Sequence, residues 1–225
     1  MSFSKKLLVV LLVIILCALL FYQYGRSLWK PAAIKLMGKQ TVSDIISKHK
    51  ESSEQALAPL FAEKAIQYPP HQLALIAFKD TKTLELWASN NDTDFRHIIS
   101  YPIQATSGNP GPKLREGDRQ VPEGLYKIIG FNPNSAYHLS MKINYPNAFD
   151  LKHAKAEGRD QPGTNIFIHG RAVSIGCLAM GDPVIEKLFT LVHDTGRSNT
   201  QVLISPTDPS ISDLIVPTGA PDWTV

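Results

Sequence analysis

Cysteine is scarce in this sequence: its 225 residues include only two, Cys17 and Cys177. Two thiols cannot build a disulfide framework or a multi-cysteine zinc or iron–sulfur site, so both classes are excluded. Excess positive charge is also lacking outside the N-terminus. Of the 23 Lys and Arg residues, four lie in residues 1–30, which leaves 19 against 20 acidic residues in the rest of the chain. The body therefore lacks the basic surface that nucleic-acid binding requires.

A long uncharged run lies near the N-terminus, where two lysines precede Leu7–Tyr22. As a helix it would extend ~24 Å, slightly less than the roughly 30 Å core of a bilayer. Gly25-Arg26-Ser27 is a poor cleavage site, which favours an uncleaved signal-anchor over a cleaved signal peptide. In both cases we expect a periplasmic body, with residues 7–24 contacting the inner membrane if the segment is retained. Cys17 lies inside the run without the small upstream residue that lipoprotein processing needs, so we interpret it as an apolar filler.

The sequence divides into four segments. Thr41–Gln67 predicts a helix that is capped by Thr41 and interrupted at Pro59, and we interpret it as a spacer. The segments are a signal-anchor or signal peptide (1–27), a helical stalk or linker (28–70), a body (71–206) and a polar C-terminal tail (207–225).

The body is β-rich, mainly β with one clear α-helix. From Leu73 onward the apolar period shortens toward two, which predicts strands separated by turn residues. Asp182-Pro183 begins a helix with a cap and a first-turn proline, and Gly196 ends it. The predicted strands are 73–79, 84–88, 95–105, 125–131, 138–143, 165–169 and 202–205.

The reactive residues concentrate around Cys177, which lies shortly before this helix, with His169 eight residues upstream at a strand end. A cysteine nucleophile needs a base for its proton, and a histidine one short loop away can supply it. Gly176 permits a tight turn that leaves amides near the thiol for an oxyanion. We expect His169 to lower the pKa of Cys177. The competing interpretation is a buried structural cysteine.

Two other kinds of site fit the sequence less well. A zinc site would use His169 and Cys177 with His153 or Asp160, but the sequence contains no Cys-x-x-Cys or His-x-x-x-His spacing. A serine hydrolase would need a Gly-x-Ser-x-Gly motif, which is not present around Ser174. We therefore predict no metal and no cofactor.

Several motifs in order resemble those of the L,D-transpeptidase (YkuD-type) catalytic domain family. Ile168-His169-Gly170 and Ser174–Met180 resemble its active-site segment. Gly117–Tyr126 looks like the family's upstream G-D-x-x-T-P-E-G-x-Y segment. Gly111–Leu114 and Asn132–Tyr137 look like the narrower YafK-like branch.

This resemblance covers about Leu73–Ser205 and implies a YkuD-like β-sandwich with the reactive residues at the mouth of a cleft. It implies that Cys177 attacks the amide carbonyl at the L-centre of meso-diaminopimelate in a peptidoglycan stem peptide. The resulting thioester would be resolved by an amine or by water. His169 would be the base, oriented by the carbonyl of Gly170, and the amides of Gly176 and Cys177 would form the oxyanion hole.

Departures from the family pattern bear on the acceptor. Ile175 stands where many members carry His, and Ala179 where many carry Arg. The YafK-like branch shares the short His-to-Cys spacing and is associated with cleaving the diaminopimelate–Lys amide that links outer-membrane (Braun's) lipoprotein to peptidoglycan. The resemblance thus favours an amidase. The alternative is a transpeptidase that forms cross-links or attaches lipoprotein; the rival classes are a non-catalytic peptidoglycan-binding module and a structural envelope protein.

Four further residues are candidates for supporting roles. Lys113 and Arg119 lie in a loop that could dock the carboxylates of a stem peptide, and Arg171 lies between the histidine and the cysteine. Ser174 is a candidate orienting hydroxyl near the thiol. A solvated mixed-charge loop and a turn-stabilising hydroxyl are the competing interpretations.

Overall fold

The N-terminal part of the chain is helical and exposed. The computed structural model describes residues 3–213, 220, 221 and 223, and the chain separates into two compact units, Met1–Gln40 and Thr41–Val225. The first unit contains helices α1 (Phe3–Tyr24) and α2 (Arg26–Met37). Within α1, the 18 residues Lys5–Tyr22 are long and apolar enough to cross a membrane. The length and composition of α1 therefore fit the predicted membrane segment.

The second unit begins with helix α3 (Val42–Glu63), which has a reciprocal N-terminal cap. The Thr41 hydroxyl accepts a hydrogen bond from Asp44 N at 3.1 Å, and the Asp44 carboxylate accepts one from Thr41 N at 2.7 Å. The helix runs through Pro59 without the predicted interruption. Capping by Thr41 follows the sequence prediction, whereas the break at Pro59 does not occur.

Helix α3 belongs to the hydrophobic core and is not a free spacer. Ile45, Leu57 and Phe61 are buried, and the helix packs against helix α5 (Asp182–Thr195) near the end of the chain. Its apolar residues looked intermittent in sequence because only the face toward α5 needs them. The compact unit thus starts at Thr41, and the segment 28–70 is divided between the two units instead of forming one stalk.

Eight strands form one continuous mixed sheet in the order β3-β2-β1-β8-β4-β5-β6-β7. The seven predicted strands are present with ends shifted by at most three residues, and β7 is additional. The strands are β1 (Gln72–Phe78), β2 (Thr83–Ser89), β3 (Arg96–Pro102), β4 (Gly124–Asn132), β5 (Ser140–Ile143), β6 (Phe167–His169), β7 (Leu178–Ala179) and β8 (Thr200–Ser205).

Strand β4 is shared between two halves of this sheet. Its first half, Gly124–Lys127, pairs with β8, while Ile128–Asn132 pairs with β5. The register shifts between Ile128 and Gly130, as in a bulge, and bulges bend a strand and increase its twist. The sheet consequently curls, which places two halves around one core and agrees with the sandwich expected for the family.

The segment between β5 and β6 contains an additional helix, α4 (Ala148–Ala156). Asn147 and Asp150 cap it reciprocally. Of its residues only Ala154 is buried, so its sequence shows little helical periodicity, which explains why the prediction missed it. The prediction of one clear helix in the body therefore held for α5 alone.

The beginning of the predicted polar tail is part of the body. Thr207 and Asp208 are buried, and Asp208 N donates to Asp80 Oδ2 at 3.2 Å. Farther along, the Trp223 ring stacks on His153 of α4 with ring centroids 4.4 Å apart. Residues 214–219, 222, 224 and 225 lie outside the described part of the chain.

The burial of α3 can be tested by truncating one of its side chains. Leu57 is 1% exposed, so Leu57→Ala should lower the free energy of unfolding by about 2–5 kcal/mol through lost burial and the remaining cavity. Exposed Gln55 on the same helix is the matched control, and Gln55→Ala should change stability by less than about 0.5 kcal/mol. Urea unfolding of both variants measures the difference; equal stabilities would mean that α3 is a spacer after all.

Candidate active site

The pairing of β6 with β7 brings the two candidate catalytic residues together. These strands are parallel, with Ile168 opposite Leu178 and His169 opposite Ala179. Continuing this register by one residue puts Cys177 beside Phe167. Cys177 itself lies in a bend directly before β7, so the strand pairing brings it near β6, which ends at His169.

His169 is buried and held in one tautomer. Its Nδ1 lies 2.5 Å from the carbonyl oxygen of Gly170, and a carbonyl can only accept, so Nδ1 carries the proton. The other ring nitrogen, Nε2, then holds the lone pair that a general base requires. Burial lowers the pKa of His169, and the hydrogen bond to Gly170 opposes this effect more weakly. The imidazole is therefore neutral at physiological pH.

Tyr137 and Gly170 pack closely around this histidine. The ring of Tyr137 lies 4.7 Å from the His169 ring, measured between centroids. A Cβ added at Gly170 would lie 2.7 Å from Asp182 Oδ1 and 2.8 Å from the Tyr137 carbonyl oxygen. Only glycine fits at this position, so the carbonyl that orients His169 is supplied by a residue that cannot readily be replaced.

The thiol of Cys177 has an environment different from the predicted one. Burial raises the pKa of Cys177, while a backbone hydrogen bond from Phe167 and the charge of Lys113 lower it by less. Its Sγ lies 3.9 Å from the Asn165 carbonyl oxygen, and the described residues show no hydrogen bond between Cys177 and His169. The expectation that His169 depresses this pKa is therefore wrong for the free protein, because desolvation of the thiolate dominates.

These two protonation states determine what the pair can do chemically. A neutral imidazole beside a neutral thiol is not a preformed thiolate–imidazolium pair. His169 would take the thiol proton while the sulfur attacks an electrophile, which is general-base catalysis. A bound substrate that brings sulfur and imidazole into contact would complete the arrangement.

Both amides predicted to stabilise an oxyanion already have hydrogen-bond acceptors. Gly176 N donates to Ser107 Oγ at 2.6 Å, and Cys177 N donates to Ser174 Oγ at 3.0 Å. Ser174 Oγ in turn donates to the Cys177 carbonyl oxygen at 2.6 Å. Ser174 thus orients the backbone at Cys177, while an oxyanion bound there would have to share or replace these serine contacts.

Lys113 is a buried structural cation and not the surface docking group that the sequence suggested. Its Nζ lies 2.5 Å from Asp118 Oδ1 and 2.9 Å from the Arg115 carbonyl oxygen. Burial raises the pKa of Asp118, but hydrogen bonds from Lys113 and three backbone amides outweigh it and lower the pKa overall. The side chain of Lys113 is only 5% exposed, so its charge can act on Cys177 without touching a ligand.

The two candidate arginines have different environments. Arg119 is in the same loop as Lys113, has a φ of 58°, and accepts a hydrogen bond from Ser107 through its carbonyl oxygen. Arg171 lies in the turn after His169; its backbone N donates to Asp182 Oδ1 at 2.8 Å. The Arg171 Nε is 3.7 Å from Asp182 Oδ2 but makes no hydrogen bond to any described residue. The Nε is itself buried, so Asp182 is the charged group that faces it.

Sequence reasoning missed Ser107, Tyr137 and Asn165. Asn165 has a φ of 59° and presents its carbonyl to the thiol, but an asparagine at a strand start carries no such signal. Ser107 is 69 positions before Gly176, and a single serine in a long loop is uninformative. Tyr137 belongs to one of the family-like motifs, but nothing in the sequence indicated that its ring packs on His169.

His153, the alternative zinc ligand, lies between Phe149 and Trp223, and no metal-binding cluster occurs among the described residues.

The comparisons with known proteins agree on one family. The model of the YkuD L,D-transpeptidase catalytic domain matches residues 74–204, more than half of the chain. YafK of Escherichia coli strain K12, provisionally assigned as an L,D-transpeptidase, is 33% identical over 159 residues, which are 68% of this chain and 62% of YafK. The O157:H7 protein gives the same values. The chain thus spans a little over three-fifths of the length of these relatives.

A solved structure supports the likeness of fold. The helical cell shape determining protein Pgp2 from Campylobacter jejuni matches with a TM-score of 0.50 and 23% identity. The match covers 61% of this chain and 48% of Pgp2. At this identity the likeness concerns the arrangement of the chain only.

The protonation state of Cys177 can be measured by alkylation. In a Cys17→Ala background, the rate of iodoacetamide alkylation should rise with pH and have a midpoint above about 8.5, the value for a free thiol. This follows from the raised pKa of the buried thiol, and His169→Ala should leave the midpoint above that value. A midpoint well below 8.5 that moves up in His169→Ala would instead reveal a preformed ion pair.

Proposed function

The chain belongs to the L,D-transpeptidase catalytic domain family, and from this premise we propose that it is a cysteine amidase of the bacterial cell wall. Its substrate is the diaminopimelate–Lys amide between a peptidoglycan stem peptide and outer-membrane (Braun's) lipoprotein. The observation that supports the proposal is the pairing of β6, which ends at His169, with β7, which begins directly after Cys177, while the Gly170 carbonyl leaves Nε2 in its basic form.

The reaction proceeds through a thioester. Cys177 Sγ attacks the amide carbonyl carbon at the L-centre of diaminopimelate, and its proton passes to Nε2 of His169. The tetrahedral intermediate collapses as the C–N bond breaks, and the leaving Lys amine takes the proton from His169. A water molecule then loses a proton to His169 and attacks the thioester. The C–S bond breaks, the carboxylate leaves, and the thiol is regenerated.

Two positions favour water over an amine as acceptor. Ala179 lies in β7 with none of its surface exposed and pairs with Ala105, so it offers no side chain to an incoming amine. Ile175, where many family members have His, is 72% exposed and carries no polar group. With neither group present, a second stem peptide finds fewer polar contacts than in those members.

The basic residues near the cleft would recognise substrate carboxylates. Arg171 lies in the turn after His169 and faces Asp182, with Nε 3.7 Å from Asp182 Oδ2, and a guanidinium has further N–H donors that bind a carboxylate in a fixed geometry. Arg119 lies in the loop that contacts Gly176 through Ser107. We assign the stem-peptide carboxylates to these two arginines, whereas Lys113 acts through its charge from within the loop.

The proposed location is the periplasm. The apolar helix α1 anchors the protein in the inner membrane if it is retained, and a cleaved signal peptide would give a soluble periplasmic protein. In both cases the catalytic unit faces the peptidoglycan layer.

The direct test uses the full chain in detergent with sacculi that still carry covalently attached lipoprotein. Mass spectrometry should find released lipoprotein with a free terminal Lys and tripeptide stems left on the sacculi. Cys177→Ala and His169→Ala should lower the rate at least about 10³-fold, because each removes part of the nucleophile–base unit. Cys17→Ala is the matched control and should retain the rate.

Other products would point to the alternatives. New links between two diaminopimelate residues, or attachment of added lipoprotein, would identify a transpeptidase. Binding to sacculi with no covalent change in either fraction would identify a peptidoglycan-binding module.

A further inference from the structure

The contact between Ser107 and Gly176 has a consequence for catalysis that extends the proposed function. Ser107 lies in the long loop between β3 and β4, and its Oγ is 2.6 Å from Gly176 N. This is the distance and direction at which the oxygen of a tetrahedral intermediate would accept from that amide. An oxyanion bound to the Gly176 amide would therefore have to take the place of this hydroxyl.

The orientation of the Ser107 hydroxyl is fixed by a second bond. Its proton is donated to the Arg119 carbonyl oxygen at 2.7 Å, so a lone pair is directed at Gly176 N. The hydroxyl is thus an acceptor toward Gly176 and cannot add a donor to the oxyanion site. Because it competes with the oxyanion for the same N–H, it lowers the benefit of that amide in the transition state.

The neighbouring loop holds Ser107 in place. A Cβ added at Gly176, where φ is +82°, would lie 3.3 Å from the Gln120 carbonyl oxygen, so the two backbones are in close contact. Asp118 fixes the loop beside this contact, accepting from Gln120 N at 3.0 Å and from Lys113. Gln120 Oε1 accepts from Asn109 N at 2.9 Å and ties the two ends of the loop together. Ser107 consequently lies in a loop that several hydrogen bonds hold in one conformation.

We propose that Ser107 controls access to the oxyanion site: its hydroxyl occupies the Gly176 amide in the free protein and yields it when a substrate displaces the loop. Ser107 is a specificity-determining residue of the proposed reaction. A long stem peptide contacts the loop and displaces the hydroxyl, whereas a small acyl compound that does not reach the loop must compete with it.

Two reagents separate this effect from thiol reactivity. In acylation by p-nitrophenyl acetate, the Cys177 thiolate attacks the ester carbonyl, a C–S bond forms, and p-nitrophenolate leaves through a tetrahedral oxyanion. Iodoacetamide forms a C–S bond by direct displacement of iodide and passes through no oxyanion. The ratio of the two rates therefore reports on the oxyanion site, while either rate alone also reports on the thiolate.

The test uses the full chain in detergent, with Cys17→Ala in every sample so that only Cys177 reacts. Ser107→Ala should raise the acylation rate about fivefold, the effect of one neutral hydrogen bond, and leave the alkylation rate and its pH profile unchanged. Ser107→Thr keeps the hydroxyl and should keep the original ratio. Ser100→Ala is the control, because Ser100 lies in β3 and pairs with His97.

Two results of this test would contradict the proposed role of Ser107. An acylation rate that is unchanged in Ser107→Ala, or that falls together with the alkylation rate, would overturn the proposal and make Ser107 a structural support for the loop. Both reactions proceed without peptidoglycan, so this outcome is independent of whether the lipoprotein linkage is the substrate. A protein inactive on sacculi could still show the fivefold rise.

Discussion

The parallel pairing of β6 with β7 is the interaction on which the candidate site depends. The two strands are only three and two residues long, yet their pairing brings the segment that begins at Cys177 to the strand that ends at His169. Short strands hold a register only when their surroundings supply the remaining constraints. Here β5 pairs with the other edge of β6, and Ile168 and Leu178 are buried on the face opposite His169. The curl of the sheet at β4 makes this arrangement possible, because it lets the β5–β7 half pack against the same core as the rest.

Two buried lysines organise the long loop that covers the cysteine. Lys79 at the end of β1 donates to the carbonyl oxygens of Gly111 and Val121 and to Glu123, and Lys113 pairs with Asp118. A buried ammonium is tolerated only when its donors are matched, and here each lysine has partners from the same loop. These pairs explain how a segment without regular secondary structure keeps Ser107 and Gln120 against Gly176. The sequence suggested that the positive charge of Lys113 binds a ligand. In the structure this charge instead stabilises the loop by pairing with Asp118.

Burial and reactivity are in conflict at the candidate site. The residues that exclude water around His169 and Cys177 also raise the pKa of the thiol and lower that of the imidazole. Both shifts favour the neutral forms of the two side chains, and the amides of Gly176 and Cys177 donate to serine hydroxyls. A substrate would have to supply the contacts that release this state.

Local patterns were sufficient for most of the secondary structure and for selecting Cys177 and His169 as candidates. The period-two strands, the cap of α3, the end of α5 at Gly196 and the single body cysteine are encoded over a few residues, so they could be predicted. The predicted cap at Asp182 is wrong, because Gly181 is the N-cap and Asp182 accepts from Arg171 N. The family motifs added the orienting role of Gly170, and a Gly170 carbonyl 2.5 Å from His169 is present. What only the tertiary structure decided depends on residues far apart in sequence: α3 packing on α5, Lys113 buried with Asp118, and Ser107 bonded to Gly176. The pKa of Cys177 also depends on the tertiary structure, because burial by residues from distant segments is the main cause of its rise.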